Sequence, residues 1–202
     1  KQKLMKLNIK IFFLTLLFPS IVIYNNSIKM KLLIRVKSTK ALNKQKYMDG
    51  PLKNLLVVDL TRVLVGPYCT MILSDLGARV IKIEAPEIGD DSRKFGPFIK
   101  DYSAYFMSLN RGKESIALNL KNTEDKKIFD KILSKADILV ENFKPGTLEK
   151  WGYGWKEVNK KYPKLIYASA SGFGQTGPLK ELPAYDMVVQ GMGGLMSVTG
   201  QP

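Results

Sequence analysis

The sequence contains no histidine and only one cysteine, and these two scarcities exclude several kinds of chemistry. Without histidine the chain cannot form a Ser-His or Cys-His catalytic pair, and it lacks the commonest zinc ligand. The single cysteine, Cys69, cannot form an internal disulfide, which is typical of a reducing compartment. Because no histidine can activate it, Cys69 is predicted to be a small buried apolar residue and not a nucleophile.

Acidic residues are missing from the first 48 positions, which hold 11 of the 32 lysines and arginines. The rest of the chain has 21 basic and 18 acidic residues, a net charge of only +3, although the whole chain carries +14. A nucleic-acid-binding protein usually carries its basic residues on the folded domain. The charge distribution therefore argues against a nucleic-acid partner.

The apolar run at residues 11–24 is too short for a membrane helix, since its 14 residues compare with about 17–25 for a span. It is similar to the apolar region of a signal peptide, but residues 25–27 offer no usual small-residue cleavage site. Alternatively, residues 1–29 are untranslated and the protein starts at Met30, because residues 31–46 are basic and acid-free like a mitochondrial transit peptide. We expect a basic leader at 1–48, no stable membrane span and a mitochondrial location, with the cytoplasm or peroxisome as alternatives.

From Lys53 onward the pattern alternates between strands and helices. Short apolar or alternating runs predict strands at residues 55–60, 79–84, 115–120, 137–141 and 165–171. Amphipathic or glycine-bounded segments predict helices at residues 68–76 (after a turn at Gly66-Pro67 and closed by Gly77), 123–136 (capped by Thr123), 145–151, 155–161 and, broken by glycine, 185–197. This alternation indicates an α/β fold with a mostly parallel, Rossmann-like sheet flanked by helices.

A glycine-rich segment, Gly-Phe-Gly-Gln-Thr-Gly-Pro at residues 172–178, follows the last predicted strand of the sheet. Its three glycines allow positive φ angles and a close approach of the backbone to a ligand, although a purely structural turn is an open alternative. The segment lacks the Gly-Lys-Ser/Thr ending of a P-loop. No Gly-x-Gly-x-x-Gly follows the first strand of the domain, which disfavours a nicotinamide-dependent dehydrogenase.

Five segments carry a family resemblance, at residues 59–67, 77–84, 110–120, 140–146 and 171–178, and Tyr185-Asp186 and Gly193-Gly194 continue the same order. The set resembles the family III CoA-transferases, also called the carnitine-dehydratase and acyl-CoA-racemase-like family. Residues 90–93 and 173–178 look closest to the mitochondrial members that move CoA among dicarboxylic acids. Because family members are much longer, the resemblance implies that residues 49–202 are the N-terminal part of the CoA-transferase III domain.

The resemblance also implies a site for coenzyme A, with acyl-CoA as a substrate, no permanently bound cofactor and no metal. Such a site needs cations or backbone N–H groups for phosphates and apolar walls for adenine. The residues that the resemblance assigns are Arg62, Val63, Leu64 and Val65 (the diphosphate wall), Leu118 and Lys121 (a second wall), Asn142, Phe143 and Lys144 (the channel mouth), Lys150 near the phosphates, and Tyr185 and Asp186 within the inner channel segment, residues 183–186. Where some members have an arginine after the second strand this chain has Ala85, so Arg93 is a candidate replacement.

In the resembling transferases an aspartate attacks the acyl-CoA thioester, giving a mixed anhydride and then an aspartyl-CoA thioester. The matching position falls beyond Pro202, so Asp186 is not assigned as the nucleophile and no catalytic residue is predicted in this chain. The resemblance implies that the full-length protein, as a homodimer, transfers CoA from a donor such as succinyl-CoA to a carboxylic acid. This chain alone is expected to be inactive.

Two alternatives stay open. An α-methylacyl-CoA racemase would need two bases, and in the resembling racemases a histidine precedes the aspartate that Asp186 matches. Here that position is Tyr185, and a phenol is a poor base at neutral pH. The other alternative is an inactive CoA-binding fragment, for which an exposed apolar core surface would predict aggregation.

Overall fold

The computed structural model describes residues 21–24 and 49–200. Its strands in this part of the chain are β1 (Ile21–Tyr24), β2 (Leu56–Asp59), β3 (Arg79–Glu84), β4 (Phe98–Ile99), β5 (Tyr102–Ser103), β6 (Glu114–Ala117), β7 (Ile138–Glu141) and β8 (Ile166–Ala170). Its α-helices are α1 (Val65–Asp75), α2 (Ala104–Asn110), α3 (Thr123–Leu133), α4 (Thr147–Trp151), α5 (Trp155–Lys161) and α6 (Asp186–Met192). Short 3₁₀ helices lie at Asp91–Lys94 and Leu195–Ser197.

The large sheet has the strand order β1-β8-β7-β2-β3-β6. Its strands β6, β3, β2, β7 and β8 are parallel, and β1 pairs antiparallel with β8. The predicted mostly parallel α/β sheet is confirmed. From β2 the chain adds β3 and then β6 on one side, and it then returns to add β7 and β8 on the other side of β2. The carboxyl ends of β2 and β7 therefore form a topological switch point, where open α/β sheets bind ligands.

Both faces of the sheet are covered, so the central strands are apolar on both sides. One core cluster contains Val57, Val80 and Cys69, and the other contains Val58, Leu139 and Phe129. Cys69 is buried, as the sequence predicted. Burial, with a smaller contribution from the charge of a neighbouring aspartate, raises the pKa of its thiol to about 12, which leaves it protonated and unreactive.

One predicted helix start and one predicted helix cap are wrong, whereas the start of α3 at Thr123 is confirmed. Helix α1 begins at Val65, so Gly66 and Pro67 lie in its first turn and not in a preceding turn. Proline is tolerated there because the first N–H groups of a helix have no partner within the helix. Helix α3 is capped by Asn122, whose Oδ1 accepts from the N–H of Glu124 at 2.8 Å, and not by Thr123. Both residue types are good caps, and the extended backbone of Asn122 decides between them.

Other element predictions agree with the structure within a few residues. Helix α5 spans the predicted range, and Gly77 follows α1 with a φ of 94°, a conformation that favours glycine. The region from Asp91 to Asn110, with its 3₁₀ helix, small hairpin and α2, was not predicted, because its short elements give no periodic pattern.

The leader predictions for residues 1–20 and 25–48, including the start at Met30, lie outside the described residues. Among the described residues, no helix combines the length and the apolar character that crossing a membrane requires.

Candidate functional site

The loops that follow β2 and β7 are joined by the side chain of Asn142. Its Oδ1 accepts from the backbone N–H of Arg62 at 2.8 Å, and its Nδ2 donates to the carbonyl of Arg62 at 2.9 Å. The two residues are 80 positions apart in the sequence and belong to different motifs. The fold thus brings together, at the switch point of the sheet, the segments predicted to form the diphosphate wall (residues 62–65) and the channel mouth (residues 142–144).

The loop after β2 leads into the start of α1, which offers backbone N–H groups. No side chain in the described part of the chain caps this helix, and its first turn has no acidic residue. Leu64 and Val65 beside it are 47% and 46% exposed. Because the N-terminus of a helix attracts anions, this arrangement suits a phosphate next to an apolar ring.

A buried ion pair supports the loop from below. The ammonium group of Lys82, in β3, lies 2.8 Å from Asp90 Oδ2 and donates to the carbonyl of Thr61 at 2.7 Å. The other oxygen of Asp90 accepts from the backbone N–H of Val63 at 3.1 Å. Burial would raise the pKa of Asp90, but Lys82 and hydrogen bonds from Ser92 hold it below the ordinary value. The charged pair therefore holds the loop at two points, the carbonyl of Thr61 and the N–H of Val63.

Val63 has a φ of 68°, a left-handed conformation that is rare for a β-branched residue. Such a backbone costs about 1–3 kcal/mol and persists only where neighbouring groups hold it in place. Here the N–H of Val63 is held by Asp90, and the preceding residue is held by Asn142. Strained backbone of this kind is concentrated at binding sites.

A second buried pair lies under the start of α1. Lys113 Nζ is 3.1 Å from Asp59 Oδ2 and donates to Asn110 Oδ1 at 2.8 Å. The Asp59 carboxylate also accepts from Thr70 Oγ1 at 2.6 Å. Burial would raise the pKa of Asp59, but the positive charges of Lys113 and Lys82 hold it below its ordinary value. The base of the loop and the first turn of α1 are thereby joined to the end of β2.

Arg93 is engaged in an ion pair and is not free to bind phosphate. Its guanidinium donates to both carboxylate oxygens of Glu84, at 2.7 and 2.8 Å, and stacks 3.8 Å from the ring centre of Phe106. Burial would raise the pKa of Glu84, but hydrogen bonds from Arg93 and Ser115 lower it to about 2. This geometry argues against the hypothesis that Arg93 replaces the arginine missing at position 85. The guanidinium of Arg62 likewise pairs with Asp91.

The second wall lies at the same edge of the sheet, two strands away from β2. The backbone N–H of Leu118 donates to the carbonyl of Glu84 at 2.9 Å, but its side chain is only 5% exposed and belongs to the core cluster of Phe129. Leu118 can therefore line a groove only through its backbone. Lys121 is exposed in the loop before α3 and can supply a cation.

The channel mouth is built on aromatic packing. The ring of Phe143 packs edge-on against Trp151, with 5.3 Å between ring centres. Lys144 and Lys150 are exposed on the same side of β7, in the loop after the strand and in α4. The exposed ammonium groups of both lysines are able to pair with an anion.

The inner channel segment is exposed. Tyr185 is 73% exposed, and Asp186 begins α6 and accepts a hydrogen bond from Gln190 one turn later. The segment approaches the glycine-rich loop at Gly172, where an added Cβ would overlap the side chain of Ala184. A glycine at position 172 is thus required for this contact.

Sequence reasoning missed the buried charges at this edge, namely Asp59, Lys82, Glu84, Asp90, Lys113 and Glu141. The alternating pattern of residues 79–84 predicts only a strand, yet Lys82 and Glu84 within it are both buried. A sheet with helices on both faces has no solvent face, so charged residues inside its strands predict buried ion pairs. The fold class could therefore have pointed to Lys82 and Glu84.

Comparison with known proteins agrees with this architecture. The sequence model described as CoA-transferase family III matches residues 52–202. The acetyl-CoA:oxalate CoA-transferase of Acetobacter aceti is 58% identical over 153 residues, which are 76% of this chain and 39% of that protein. The human succinyl-CoA:glutarate CoA-transferase is 46% identical over 151 residues, 74% of this chain and 34% of that protein.

A solved structure gives the same result for the fold. The crystal structure of a CaiB/BaiF family protein from Brucella suis matches with a TM-score of 0.72 and 44% identity, over 76% of this chain and 42% of that one. The chain spans between about one third and two fifths of the length of these relatives. On the strand order, the motifs and these matches, the chain belongs to CoA-transferase family III.

Proposed function

We propose that this chain provides the coenzyme A site of an enzyme that transfers CoA from an acyl-CoA donor, such as succinyl-CoA, to a dicarboxylic acid. The observation that carries the proposal is the junction of Arg62 and Asn142, which joins the uncapped start of α1 to the channel mouth. Relatives named for oxalate and for glutarate support a dicarboxylate acceptor, since both acids carry two carboxyl groups.

In this proposal the diphosphate of CoA lies at the N–H groups that begin α1, and the adenine packs on Leu64 and Val65. Lys121, Lys144 and Lys150 neutralise phosphate charge. The pantetheine arm passes the channel mouth towards Tyr185 and Asp186. Support comes from the exposure of these apolar side chains and from the absence of an acidic residue in the first turn of α1.

The chemistry proposed for the full-length protein needs no histidine. A carboxylate of an aspartate beyond Pro202 attacks the acyl carbon of the thioester, and CoA leaves as thiolate. The thiolate then attacks the aspartyl carbonyl of the resulting anhydride and releases the donor acid, which leaves an aspartyl-CoA thioester. The acceptor carboxylate repeats the same two steps in reverse and takes up CoA. Because the nucleophile lies outside it, the chain of 202 residues should bind CoA without turnover.

We further propose that the full-length enzyme is a mitochondrial homodimer. Its described C-terminal residues expose large apolar side chains, including Met187 at 71% and Val198 at 80%, and α6 has no buried residue. Apolar surface of this kind marks an interaction site, so the remainder of the protein or a second subunit is expected to cover it.

The test of the site is calorimetric titration of the 202-residue chain with CoA. Asn142→Ala should weaken binding about tenfold, which corresponds to about 1.4 kcal/mol, because it removes both hydrogen bonds that hold Arg62. Asn159→Ala, an equal change in α5, should leave the affinity unchanged. Failure of the unmodified chain to bind CoA would contradict the proposal.

The test of the reaction uses the full-length protein with succinyl-CoA and either oxalate or glutarate. We expect the CoA thioester of the acceptor to form with release of succinate. Exchange of an α-proton into the acyl-CoA without any transfer would instead identify a racemase.

A further inference from the structure

A buried carboxyl group with no cationic partner lies at the carboxyl end of β7. Glu141 is 5% exposed, and none of the ion pairs formed by the described residues includes it. Its Oε2 accepts from the backbone N–H of Phe143 at 2.8 Å, and its Oε1 accepts from the hydroxyl of Ser169 in β8. Ser169 in turn accepts from the side-chain amide of Gln175 at 2.7 Å. Glu141, Ser169 and Gln175 thus form a chain of hydrogen bonds, here called the Glu141 relay.

The Glu141 relay borders a cavity of about 30 Å³, which has room for about one water molecule. The other charged groups that line this cavity are Lys144 and Glu149. Burial, with a smaller contribution from the charge of Glu149, raises the pKa of Glu141, and the hydrogen bonds from Ser169 and Phe143 oppose this rise; the resulting pKa is about 7. Both protonation states of Glu141 are therefore accessible near neutral pH.

The relay connects two segments that the proposed function assigns to the CoA channel. At one end, Phe143 belongs to the channel mouth. At the other end, Gln175 lies in the glycine-rich loop, and Gly172 of that loop packs directly against Ala184 of the inner channel segment. The glycine-rich loop, for which the sequence leaves open a close approach to a ligand or a structural turn, thus lies between the two segments.

We propose that Glu141 is a positioning residue, which as a carboxylate fixes the spacing between the channel mouth and the inner channel segment through Ser169 and Gln175. This inference rests on the proposed function, because it assumes that CoA passes between these segments.

The directions of the hydrogen bonds explain why the charged form is needed. A carboxylate only accepts, so the Phe143 N–H and the Ser169 O–H can both point at it. The Ser169 oxygen then stays available to Gln175. A proton on Glu141 would donate to the Ser169 oxygen and turn the Ser169 hydroxyl hydrogen away, and the hydrogen bonds to Glu141 would lose the strength that the carboxylate charge gives them. Glutamine at position 141 would have the same effect, because its NH₂ group would face one of the two donors.

The test compares Glu141→Gln with Glu149→Gln, an equal change at the same cavity, by calorimetric titration with CoA between pH 6 and pH 8.5. The affinity of the unmodified chain should increase as the pH rises through about 7, where Glu141 ionises. Glu141→Gln should bind about tenfold more weakly at pH 8 and lose this pH response. Glu149→Gln should keep both the affinity and the pH response, and the midpoint of that response should move to slightly lower pH. Equal affinities and equal pH responses for Glu141→Gln and the unmodified chain would overturn the inference.

A second readout separates this inference from the proposed function. The side-chain amide signal of Gln175 in an NMR spectrum should shift with a midpoint near pH 7 in the unmodified chain and stay constant in Glu141→Gln. If the chain fails to bind CoA, this signal still tests the relay, and a pH-independent signal in the unmodified chain would contradict it. Ser169→Ala interrupts the relay and keeps Glu141, so it should show the same loss of affinity. It provides the test if Glu141→Gln does not fold.

Discussion

Two glutamates lie at the carboxyl edge of the sheet, each at the end of its own strand, and their environments differ completely. Glu84, at the end of β3, receives two hydrogen bonds from Arg93 and has a pKa lowered to about 2. Glu141, at the end of β7, is equally buried but forms no ion pair with any residue that the structure describes, and its pKa is raised to about 7. Burial costs both carboxylates solvation, and only an opposite charge compensates fully for that loss.

The contrast separates a rigid side of the site from a titratable one. On the β3 side, the pair of Lys82 and Asp90 holds the loop after β2, and Arg93 pairs with Glu84 at the end of the strand. On the β7 side, the same edge depends on a group that ionises near neutrality. The following changes should alter one side and leave the other unaffected.

The largest effect is expected for Lys82→Met. This change leaves the buried Asp90 carboxylate without its cation and removes the hydrogen bond to the carbonyl of Thr61. The free energy of unfolding should fall by about 3–5 kcal/mol, as is usual when one partner of a buried pair is removed. Urea denaturation measures the change, and Lys127→Met, which removes an exposed pair with Glu124, should cost less than about 1 kcal/mol. Equal losses for the two variants would show that the buried pair does not hold the loop.

A smaller effect with a clear pH dependence is expected for Glu141→Gln. The unfolded chain loses the Glu141 proton near its ordinary pKa of 4.5, whereas the folded chain keeps it up to about 7. The folded state therefore binds more protons in this window, and Glu141 lowers the free energy of unfolding as the pH rises through it, by about 3 kcal/mol in total. Replacement by glutamine should abolish this decrease in the free energy of unfolding. In urea denaturation at pH 5 and pH 8, the variant should be the more stable protein at pH 8, although it binds CoA more weakly. A variant that is less stable at both pH values would indicate a purely structural role.

The smallest effect is expected for Glu84→Gln, and it has the opposite sign. Because the folded pKa of Glu84 is lowered from 4.5 to about 2, its stabilisation is fully present above pH 4.5 and is lost as the pH falls towards 2. Arg93 is 41% exposed, so solvent screening reduces the contribution to about 1–2 kcal/mol. Because Glu84 loses its stabilising charge as the pH falls, the unmodified chain should begin to unfold at a higher pH than its other carboxylates alone would cause. The difference in the free energy of unfolding between the unmodified chain and Glu84→Gln should vanish near pH 2. A constant difference from pH 2 to pH 7 would contradict the ion pair.

Sequence patterns were sufficient for the sheet, and they indicated the segments that meet at its carboxyl edge. Short apolar runs such as those that form Leu56–Asp59 and Ile138–Glu141 predict buried parallel strands, because a strand covered on both faces is mostly apolar on both. The motif positions led to Arg62 and Asn142, which the structure joins. The helix cap at Asn122 and the start of α1 at Val65 were not predicted, since such boundaries depend on backbone angles that neighbouring residue types share.

The amino-acid sequence by itself determined the α/β sheet, the family and the segments that meet at its carboxyl edge, because these follow from local periodicity and motif order. Only the tertiary structure decided which charges meet there. The pairing of Lys82 with Asp90, the capture of Arg93 by Glu84 and the isolation of Glu141 join or separate residues by distances in space. Electrostatic and hydrogen-bond energies depend on those distances and on burial, and neither can be read from positions along the chain.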